Sequence, residues 1–356
     1  MSGQIPEGLR ASVAAGERPR ADYLEIADSL GAELLARPAA GARGRLGGLA
    51  VRVVGENVAM AWSCWRRRGR HDVILSDGEQ VGLPLAMFLS LLGRRRVKHV
   101  MIVHIMSVPK KATLFRLARL GRGVDGYVVY SSAQERFITA RLGVPADRVF
   151  LRPFMVDTRF FRPPPALDDR SRAAAAPGQA TITTAGLEFR DYPTLLKAIG
   201  GIDAQLVVGA ASPWSKRSNE LDGVTVPDNV TVGRFTLAEL RDLYARSTLA
   251  VMPLYPSEFQ AGITTILEAM AMQLPVVCTR TPGQTDTIVD GVTGVYVPPG
   301  DPTALRAAMV SLLADAPRRD QLGSAARAWV VEHAELDRYV ELLAEIVDRY
   351  RPALTR

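Results

Sequence analysis

Short apolar runs alternate with longer helical patterns along most of this 356-residue chain, and that alternation narrows the fold more than any other feature. A parallel strand buried on both faces is a continuous apolar run, and a helix usually connects it to the next strand. Strands are predicted at 72–76, 99–104, 126–130 and 148–152, then at 180–185, 205–209, 229–232, 249–253 and 275–279. Helices are predicted at 83–92, 112–120, 133–142, 192–199 and 265–272. The pattern predicts an α/β protein with two doubly wound domains in series.

A change of composition marks the predicted boundary between these domains. The chain is too long for one comfortable hydrophobic core, and a stretch rich in Pro, Ala and charge runs without periodicity from Phe160 to Gln179. Such a stretch is typical of an interdomain linker. We predict an N-terminal domain over 1–165, a C-terminal domain over 166–335, and a terminal helix over 336–356, for which packing back on the N-terminal domain is one option. The first strand of the N-terminal domain is either absent or supplied by 49–54.

Cysteine spacing, the N-terminus and the most apolar stretch argue against a disulfide-rich, a secreted and a membrane-spanning protein. Cys64 and Cys278 lie far apart and form neither a zinc knuckle nor a disulfide framework, which indicates a reducing compartment. The N-terminus lacks a secretory-signal pattern. The most apolar stretch, 81–92, contains Pro84 and is too short to span a bilayer, so it suits a core helix. A cytoplasmic protein is expected.

Charge is distributed unevenly between the two halves. The formal net charge is +12 over 1–165 and −5 over 166–356, within a total of +7. Either the N-terminal half binds an anionic ligand or surface, or its helices carry arginines that are only solvated. Nucleic acid is not expected, because the basic clusters lack interleaved stacking aromatics and no known module is present.

Three basic segments, at 62–70, 94–98 and 110–119, allow peripheral contact with the inner face of a membrane. In the last segment the apolar face would consist of Leu114, Phe115, Leu117 and Ala118. The alternative is that the domain core needs the same leucines.

A small polar loop, Gln260-Ala-Gly-Ile-Thr-Thr, leads into the helix predicted at 265–272. Backbone N–H groups at a helix N-terminus are unpaired and lie at the positive end of the helix dipole, so they can bind an anion. Gly262 lets a phosphate approach the backbone, and Thr264 and Thr265 add hydroxyl donors. Glu268 is placed to accept hydrogen bonds from a ribose diol. The alternative is a surface helix with an ordinary N-cap.

The motifs around this loop resemble those of a known family. Glu268-Ala-Met-Ala is followed by Pro275-Val-Val, then by Asp290-Gly-Val-Thr-Gly and Pro298-Pro-Gly-Asp. This order resembles the C-terminal domain of the retaining glycosyltransferases of family 4, over about 181–350. The resemblance is weaker before that, at the hinge-like 156–161 and the strand 99–104. It implies the GT-B fold, in which two Rossmann-like domains face each other across a cleft and the C-terminal domain binds a nucleotide-sugar donor.

Site residues follow from the resemblance, with two departures. Glu268 matches the family's ribose-binding Glu, and the loop residues Ala261, Gly262, Ile263, Thr264 and Thr265 would bind the donor. The family's other Glu, eight residues earlier, contacts the donor sugar; here Gln260 stands in its place and keeps hydrogen bonding without the charge. Glu258 would either compensate or lie on the loop surface.

The second departure concerns the cations that grip the diphosphate. The family usually has Gly-Arg followed by a Lys, whereas here Leu187 follows Gly186 and the nearby cation is Arg190. A forked guanidinium suits a leaving diphosphate, so Arg190 is the predicted catalytic cation. Lys216 is either a second cation or an exposed loop residue.

In the N-terminal half, chemistry-bearing residues follow two predicted strands. His104 ends one strand, and the matching family His approaches the donor sugar; Lys110 and Lys111 follow it. Asp77 and Glu79 lie at an equivalent strand end. Because strand C-termini of open α/β sheets face the ligand crevice, His104 is predicted to be catalytic and Asp77 and Glu79 to hold acceptor hydroxyls. Lys110 and Lys111, grouped with them on the acceptor side, would reach a phosphate of the acceptor or of the donor. Each could instead be structural or solvated.

The sequence therefore predicts a glycosyltransferase that moves a sugar from a nucleotide diphosphate to a hydroxyl of a small molecule, glycan or lipid-linked acceptor. The resemblance implies retention; no Asp-x-Asp motif is present, so neither a metal nor another cofactor is expected. Three alternatives stay open. An inverting transferase would use His104 or Asp77 as base; a nucleotide-sugar-binding protein would be inactive because of Gln260; a GT-B epimerase would act on the donor itself.

Overall fold

The computed structural model describes residues 5–36, 55–107, 111–113, 115, 120–164, 180–209 and 226–352. These residues form two compact units. The described parts of 1–10, 21–152 and 339–356 belong to the first unit, and those of 11–20 and 153–338 belong to the second. No helix within these ranges is long and apolar enough to cross a membrane.

The strands and helices of the described residues alternate as the sequence predicts. The strands are β1 (Val73–Asp77), β2 (Lys98–Val103), β3 (Gly126–Val129), β4 (Val149–Leu151), β5 (Thr181–Ala185), β6 (Gln205–Gly209), β7 (Val230–Gly233), β8 (Leu249–Met252), β9 (Val276–Thr279) and β10 (Val295–Val297). The α-helices are α1 (Leu9–Ala14), α2 (Asp22–Leu30), α3 (Glu56–Arg67), α4 (Glu79–Leu91), α5 (Ser132–Arg136), α6 (Tyr192–Ile199), α7 (Leu237–Arg246), α8 (Ile263–Ala271), α9 (Pro302–Ala314), α10 (Ala316–His333) and α11 (Leu336–Asp348).

The first unit contains a parallel sheet in the order β1-β2-β3-β4. Its core packs the inner faces of β2 and β3 against α4, through residues such as Leu83, Met101 and Tyr127. His99 on β2 is a structural histidine of this core. It is fully buried, with Nε2 2.9 Å from Ser76 Oγ and Nδ1 2.8 Å from the Gly123 carbonyl. Burial lowers the pKa of His99 to about 4, so the ring is neutral.

The second unit contains a parallel sheet in the order β10-β9-β8-β5-β6-β7. From the central pair, β6 and β7 follow β5 on one side, whereas β9 and β10 follow β8 on the other. The sheet is therefore doubly wound, and the point where the winding reverses lies between β5 and β8. Both sheets are parallel, which confirms the predicted α/β class.

Side-chain caps explain where several helices of the second unit begin. Asp191 accepts a hydrogen bond from the Thr194 amide before α6, and Asp301 accepts one from the Ala304 amide before α9. Thr236 and Glu239 form a capping box at α7. Each cap satisfies amides that a helix start leaves without partners.

One sequence prediction needs correction: Phe160 and Phe161, assigned to a linker, are 8 % and 2 % exposed and pack in the core of the second unit beside Tyr244. For Phe115 the sequence left a membrane-facing surface and the core open as alternatives. The residue is 4 % exposed and packs edge-on against Tyr127, which favours the core. Residues 49–54, 165–179, most of 114–119 and the last four residues lie outside the described residues.

An ion network ties three separate segments of the second unit together. The Arg20 guanidinium reaches Asp157 at 3.1 Å and Glu335 at 3.2 Å, and it also pairs with Asp337. Asp157 belongs to the segment that resembles the family's hinge. Its side chain is 4 % exposed and that of Arg20 13 %. Nearly buried charges of this kind depend on each other, because each would be unpaired alone.

Candidate functional site

The carboxyl ends of β5 and β8 carry two loops that are hydrogen bonded to each other. The Asp191 amide donates to the Pro253 carbonyl and the Tyr255 amide to the Phe189 carbonyl, both at 3.0 Å. Adjacent strands whose connections leave in opposite directions open a crevice at their carboxyl ends, where α/β sheets bind ligands. The first loop contains the sequence-predicted residues Gly186 and Arg190, and the second contains 260–262 and leads into 263–265.

The second of these loops ends at the N-terminus of α8. Gly262 is the N-cap residue with φ +75°, a left-handed conformation that favours glycine, and glycine has no side chain with which to cap the helix. The helix begins at Ile263, two residues earlier than predicted, so the amides of Ile263, Thr264 and Thr265 form its first turn. Uncapped first-turn amides at the positive end of a helix favour an anion such as a phosphate.

Arg190 lies beside this helix start. A Cβ atom on Gly262 would be 3.2 Å from Arg190 Nη1, and one on Gly186 would overlap Nη2, so both glycines leave room for the guanidinium. Nε donates to the Ala185 carbonyl at 3.0 Å and Nη1 to the Glu188 carbonyl at 2.7 Å. The residue is only 4 % exposed. The sequence predicts Arg190 as the cation for the diphosphate, and the structure holds this residue as a buried charge next to the anion-favouring end of α8.

Glu268 lies in the second turn of α8 and is 6 % exposed. Tyr244 on α7, fully buried, donates a hydrogen bond from its hydroxyl to Glu268 Oε2 at 3.1 Å. Burial raises the pKa of Glu268 to about 8, although the Tyr244 hydrogen bond and the positive charge of Arg190 act to lower it. The carboxyl group is thus poised to change charge near neutral pH.

Removing the Tyr244 hydroxyl tests this pairing. The hydroxyl stabilises the charged form of Glu268, so in Tyr244→Phe the pKa of Glu268 rises further and the carboxylate forms only at higher pH. If Glu268 accepts from a ribose, nucleotide affinity increases with pH through the pKa of Glu268. We expect Tyr244→Phe to shift that profile to higher pH and to lower affinity at pH 7 by roughly tenfold, as for a lost hydrogen bond to a charged group.

Calorimetric titrations with a nucleoside diphosphate between pH 6 and 9 measure this shift. Tyr127→Phe is the matched control, because the Tyr127 hydroxyl is buried in the first unit and makes no hydrogen bond among the described residues. Superimposable pH profiles for Tyr244→Phe and wild type would contradict the pairing.

Two glutamine side chains near α8 have an amide oxygen that is buried without a hydrogen-bond partner in the described structure, namely Gln260 and Gln284. Gln284 is fully buried and donates from Nε2 to the Ala261 carbonyl at 3.4 Å. An unsatisfied buried oxygen costs free energy unless a donor supplies it. Gln260 therefore keeps an acceptor where the family has a carboxylate. Glu258 is exposed, as expected for loop surface.

In the first unit, the structure brings four sequence-predicted residues to one pocket of about 140 Å³: Asp77, Glu79, His104 and Lys111. Asp77 ends β1 and His104 follows β2, and these neighbouring parallel strands are in register there. His104 Nε2 is 2.8 Å from Asp77 Oδ1. The buried Glu79 carboxylate accepts from the Ile105 amide, and Lys111 Nζ lies 3.6 Å from it.

The charges around His104 favour its protonated form. Burial alone would lower the pKa of His104, but the hydrogen bond to Asp77 and the negative charges of Asp77, Glu79 and Asp22 raise it. Burial would likewise raise the pKa of Asp77, yet the hydrogen bond from His104 holds it below its usual range. The pair can hold a proton and present it, together with the Lys111 ammonium, to hydroxyl or phosphate oxygens.

The structure describes most, but not all, of the predicted site residues, and these differ in exposure. Lys110 and Lys216 lie outside the described residues. Ala261 and Ile263 are buried at the start of α8, whereas Thr264 is exposed and Thr265 is 9 % exposed. Sequence reasoning missed Tyr244, Gln284 and Asp22, because no motif marks them. Among the described residues, no cluster of three or more His, Cys, Asp and Glu side chains is arranged to hold a metal ion.

Comparison with known proteins follows this geometry. The sequence profile described as Glycosyl transferases group 1 matches residues 187–315. A GDP-mannose-dependent alpha-(1-6)-phosphatidylinositol monomannoside mannosyltransferase of Mycobacterium tuberculosis is 27 % identical over 253 residues, 65 % of this chain and 63 % of that protein. A D-inositol 3-phosphate glycosyltransferase of Nocardiopsis dassonvillei is 24 % identical over 288 residues, 76 % of this chain and 65 % of that protein. The alignments thus span just under two thirds of these relatives.

Among solved structures, Anabaena HepE in complex with UDP-glucose superposes with a TM-score of 0.67 at 18 % identity, over 89 % of this chain and 86 % of that one. At that identity the likeness bears on the fold, and with the two parallel sheets it shows that the chain has the GT-B fold. The profile match covers the loops and α8 described above. The chain is therefore similar to glycosyl transferases of group 1, most clearly over residues 187–315.

Proposed function

We propose that this chain is a glycosyltransferase that uses a nucleotide-sugar donor and that the second unit binds the donor. One observation carries the proposal. The uncapped start of α8, the fixed charge of Arg190 and the Glu268 carboxyl group lie together at the switch point of the sheet, inside the segment that matches the family. In this set, the backbone amides and the guanidinium can bind a diphosphate, and the Glu268 carboxyl group can accept a hydrogen bond from a ribose hydroxyl.

Each residue of the set has a defined role in this proposal. The amides at Ile263, Thr264 and Thr265 bind diphosphate oxygens, and Gly186 and Gly262 leave room for the Arg190 guanidinium beside these amides. Arg190 stabilises the charge that grows on the diphosphate as the glycosidic bond breaks. Glu268 accepts from the ribose. Ala261 and Gln260 shape the neighbouring loop, where the Gln260 amide oxygen accepts from a donor-sugar hydroxyl.

In the first unit, the pocket around His104 is assigned to sugar hydroxyls, with Asp77, Glu79 and Lys111 orienting acceptor groups. We propose transfer to a hydroxyl with retention and without a metal, since leaving-group stabilisation and placement of the acceptor carry most of such a reaction. The M. tuberculosis relative is described as acting on a phosphatidylinositol monomannoside, so a lipid-linked acceptor, and with it peripheral contact at the inner face of the membrane, belongs to the proposal.

Product analysis tests the function. The protein is incubated with GDP-mannose, UDP-glucose and related donors in EDTA, with phosphatidylinositol or inositol phosphate as acceptor, and NMR spectroscopy identifies the product. We expect one donor to be consumed and its anomeric configuration retained. An inverted product would indicate an inverting enzyme, isomerisation of the sugar an epimerase, and tight donor binding without turnover a non-catalytic binding protein.

A further inference from the structure

The surface of the first unit carries an exposed aromatic and aliphatic group where α3 and α4 end. Trp62 is 41 % exposed and stacks on Trp65, with ring centroids 4.8 Å apart. At the end of α4, Leu91 is 70 % exposed and Leu92 51 %. The Trp65 indole donates to the Gly93 carbonyl at 3.0 Å, so the two helix ends form one continuous surface.

The core does not need these leucines. Leu83, Leu85 and Leu89, on the inner face of α4, are all at most 5 % exposed. Leu91 and Leu92 lie beyond them and point their apolar surface to solvent. Large apolar side chains grouped at a surface commonly mark a contact with another molecule or a membrane.

Unpaired positive charge surrounds the same surface. Segments 57–71 and 88–98 contain seven arginines and one lysine and no acidic residue. Arg67 pairs with Glu33, and Arg94 and Lys98 pair with Asp125. The remaining arginines have no carboxylate within ion-pair distance in the described structure; they are Arg66, Arg68, Arg70, Arg95 and Arg96.

Arg68 and Arg95 are the most informative of these cations. The Arg68 guanidinium lies 3.7 Å over the Trp65 ring, and its Nε is buried without a hydrogen-bond partner. The charge of Arg95 is close enough to act on Arg68 as a like charge. Arg95 itself has φ +53°, a left-handed conformation uncommon for arginine. A guanidinium held over an indole, with a second guanidinium close enough to repel it, favours an anionic group from another molecule.

We propose that Trp62, Trp65, Leu91 and Leu92, with Arg68 and Arg95, form a docking surface for an anionic lipid bilayer. Tryptophan and leucine side chains enter the boundary between head groups and acyl chains, while arginines bind lipid phosphates. The surface gives the proposed membrane contact a location different from the helix at 110–119. It rests on exposure and charge alone and does not depend on donor chemistry.

Vesicle sedimentation tests the surface. Wild-type protein is mixed with phosphatidylglycerol–phosphatidylcholine vesicles and with pure phosphatidylcholine vesicles at low and high salt. We expect binding to the anionic vesicles only, and weaker binding at high salt because ions screen the arginines. Leu91→Glu with Leu92→Glu should abolish binding, and Arg95→Ala with Arg96→Ala should weaken it about thirtyfold, as expected for two cations near an anionic surface.

Matched controls lie on the second unit. Val310 and Val331 are 45 % and 46 % exposed, and Val310→Glu with Val331→Glu should leave vesicle binding unchanged. Arg234→Ala with Arg246→Ala is the control for charge. Absence of binding to anionic vesicles, or equal binding by the Leu91–Leu92 variant, would overturn the proposal. So would a dimer of the wild-type chain that binds no vesicles and that these variants dissociate. Nucleotide affinity should be the same in all variants, so failure here leaves the transferase proposal standing.

Discussion

Arg190→Ala is expected to lower kcat by about 10²- to 10³-fold while changing the affinity for the donor much less. Charge on the diphosphate grows as the glycosidic bond breaks, so a fixed cation beside the start of α8 stabilises the transition state more than the ground state. Losses of this size are typical when one group that stabilises a developing anion is removed. Steady-state kinetics together with equilibrium donor binding separate the two effects.

Arg319→Ala is the matched control for this experiment. Arg319 is also in the second unit, is 6 % exposed, and donates to the backbone carbonyls of Leu312 and Leu313, both at 2.7 Å. Its loss should destabilise the fold much as the loss of Arg190 does, but the folded protein should turn over normally. A rise in KM at unchanged kcat in Arg190→Ala would mean that Arg190 binds substrate and transition state equally.

Arg20→Met is expected to lower the free energy of unfolding of the second unit by about 3 kcal/mol. The substitution keeps an apolar stem but leaves Asp157 and Glu335, with side chains 4 % and 14 % exposed, without their cation. Removing one partner from a nearly buried ion network leaves the remaining charges unpaired and poorly solvated, which destabilises the fold. Urea unfolding followed by circular dichroism measures the loss.

Arg159→Met provides the comparison, because Arg159 pairs with the same Asp337 from a side chain that is 70 % exposed. Exposed pairs contribute about 0–1 kcal/mol, so this variant should unfold close to wild type. Equal stabilities for the Arg20 and Arg159 variants would show that burial of the network contributes nothing.

Local sequence patterns predicted most of the fold. The helix at 192–199 and the strand at 205–209 begin and end where the sequence predicts, because a capping Asp before a Pro and a continuous apolar run are local signals. β10 was missed, since three residues before Pro298 are too few to form a pattern. Single aromatic residues were the least predictable: Phe160 was assigned to a linker and Phe115 was left open between surface and core, and only tertiary packing shows that both are buried.

The candidate site was predictable only in part, for a related reason. Motifs located the start of α8, Glu268 and Arg190, and strand ends located Asp77 and His104. The Tyr244 hydroxyl donates to Glu268 from 24 positions away, and such a long-range contact has no fixed spacing in a sequence. Arg190 donates to carbonyls only five and two residues away, but its burial to 4 % exposure depends on tertiary packing that no local motif encodes.

The central claim is that the second unit binds a nucleoside diphosphate through the start of α8 and Glu268, and isothermal titration calorimetry tests it most directly. UDP, GDP and ADP are titrated into wild type, into Glu268→Ala, and into Glu332→Ala, whose side chain is 76 % exposed and serves as control. We predict selective binding of one diphosphate, weakened about tenfold or more in Glu268→Ala and unchanged in Glu332→Ala. Failure of the wild type to bind any of the three, or equal affinity in a folded Glu268→Ala variant, would contradict the claim.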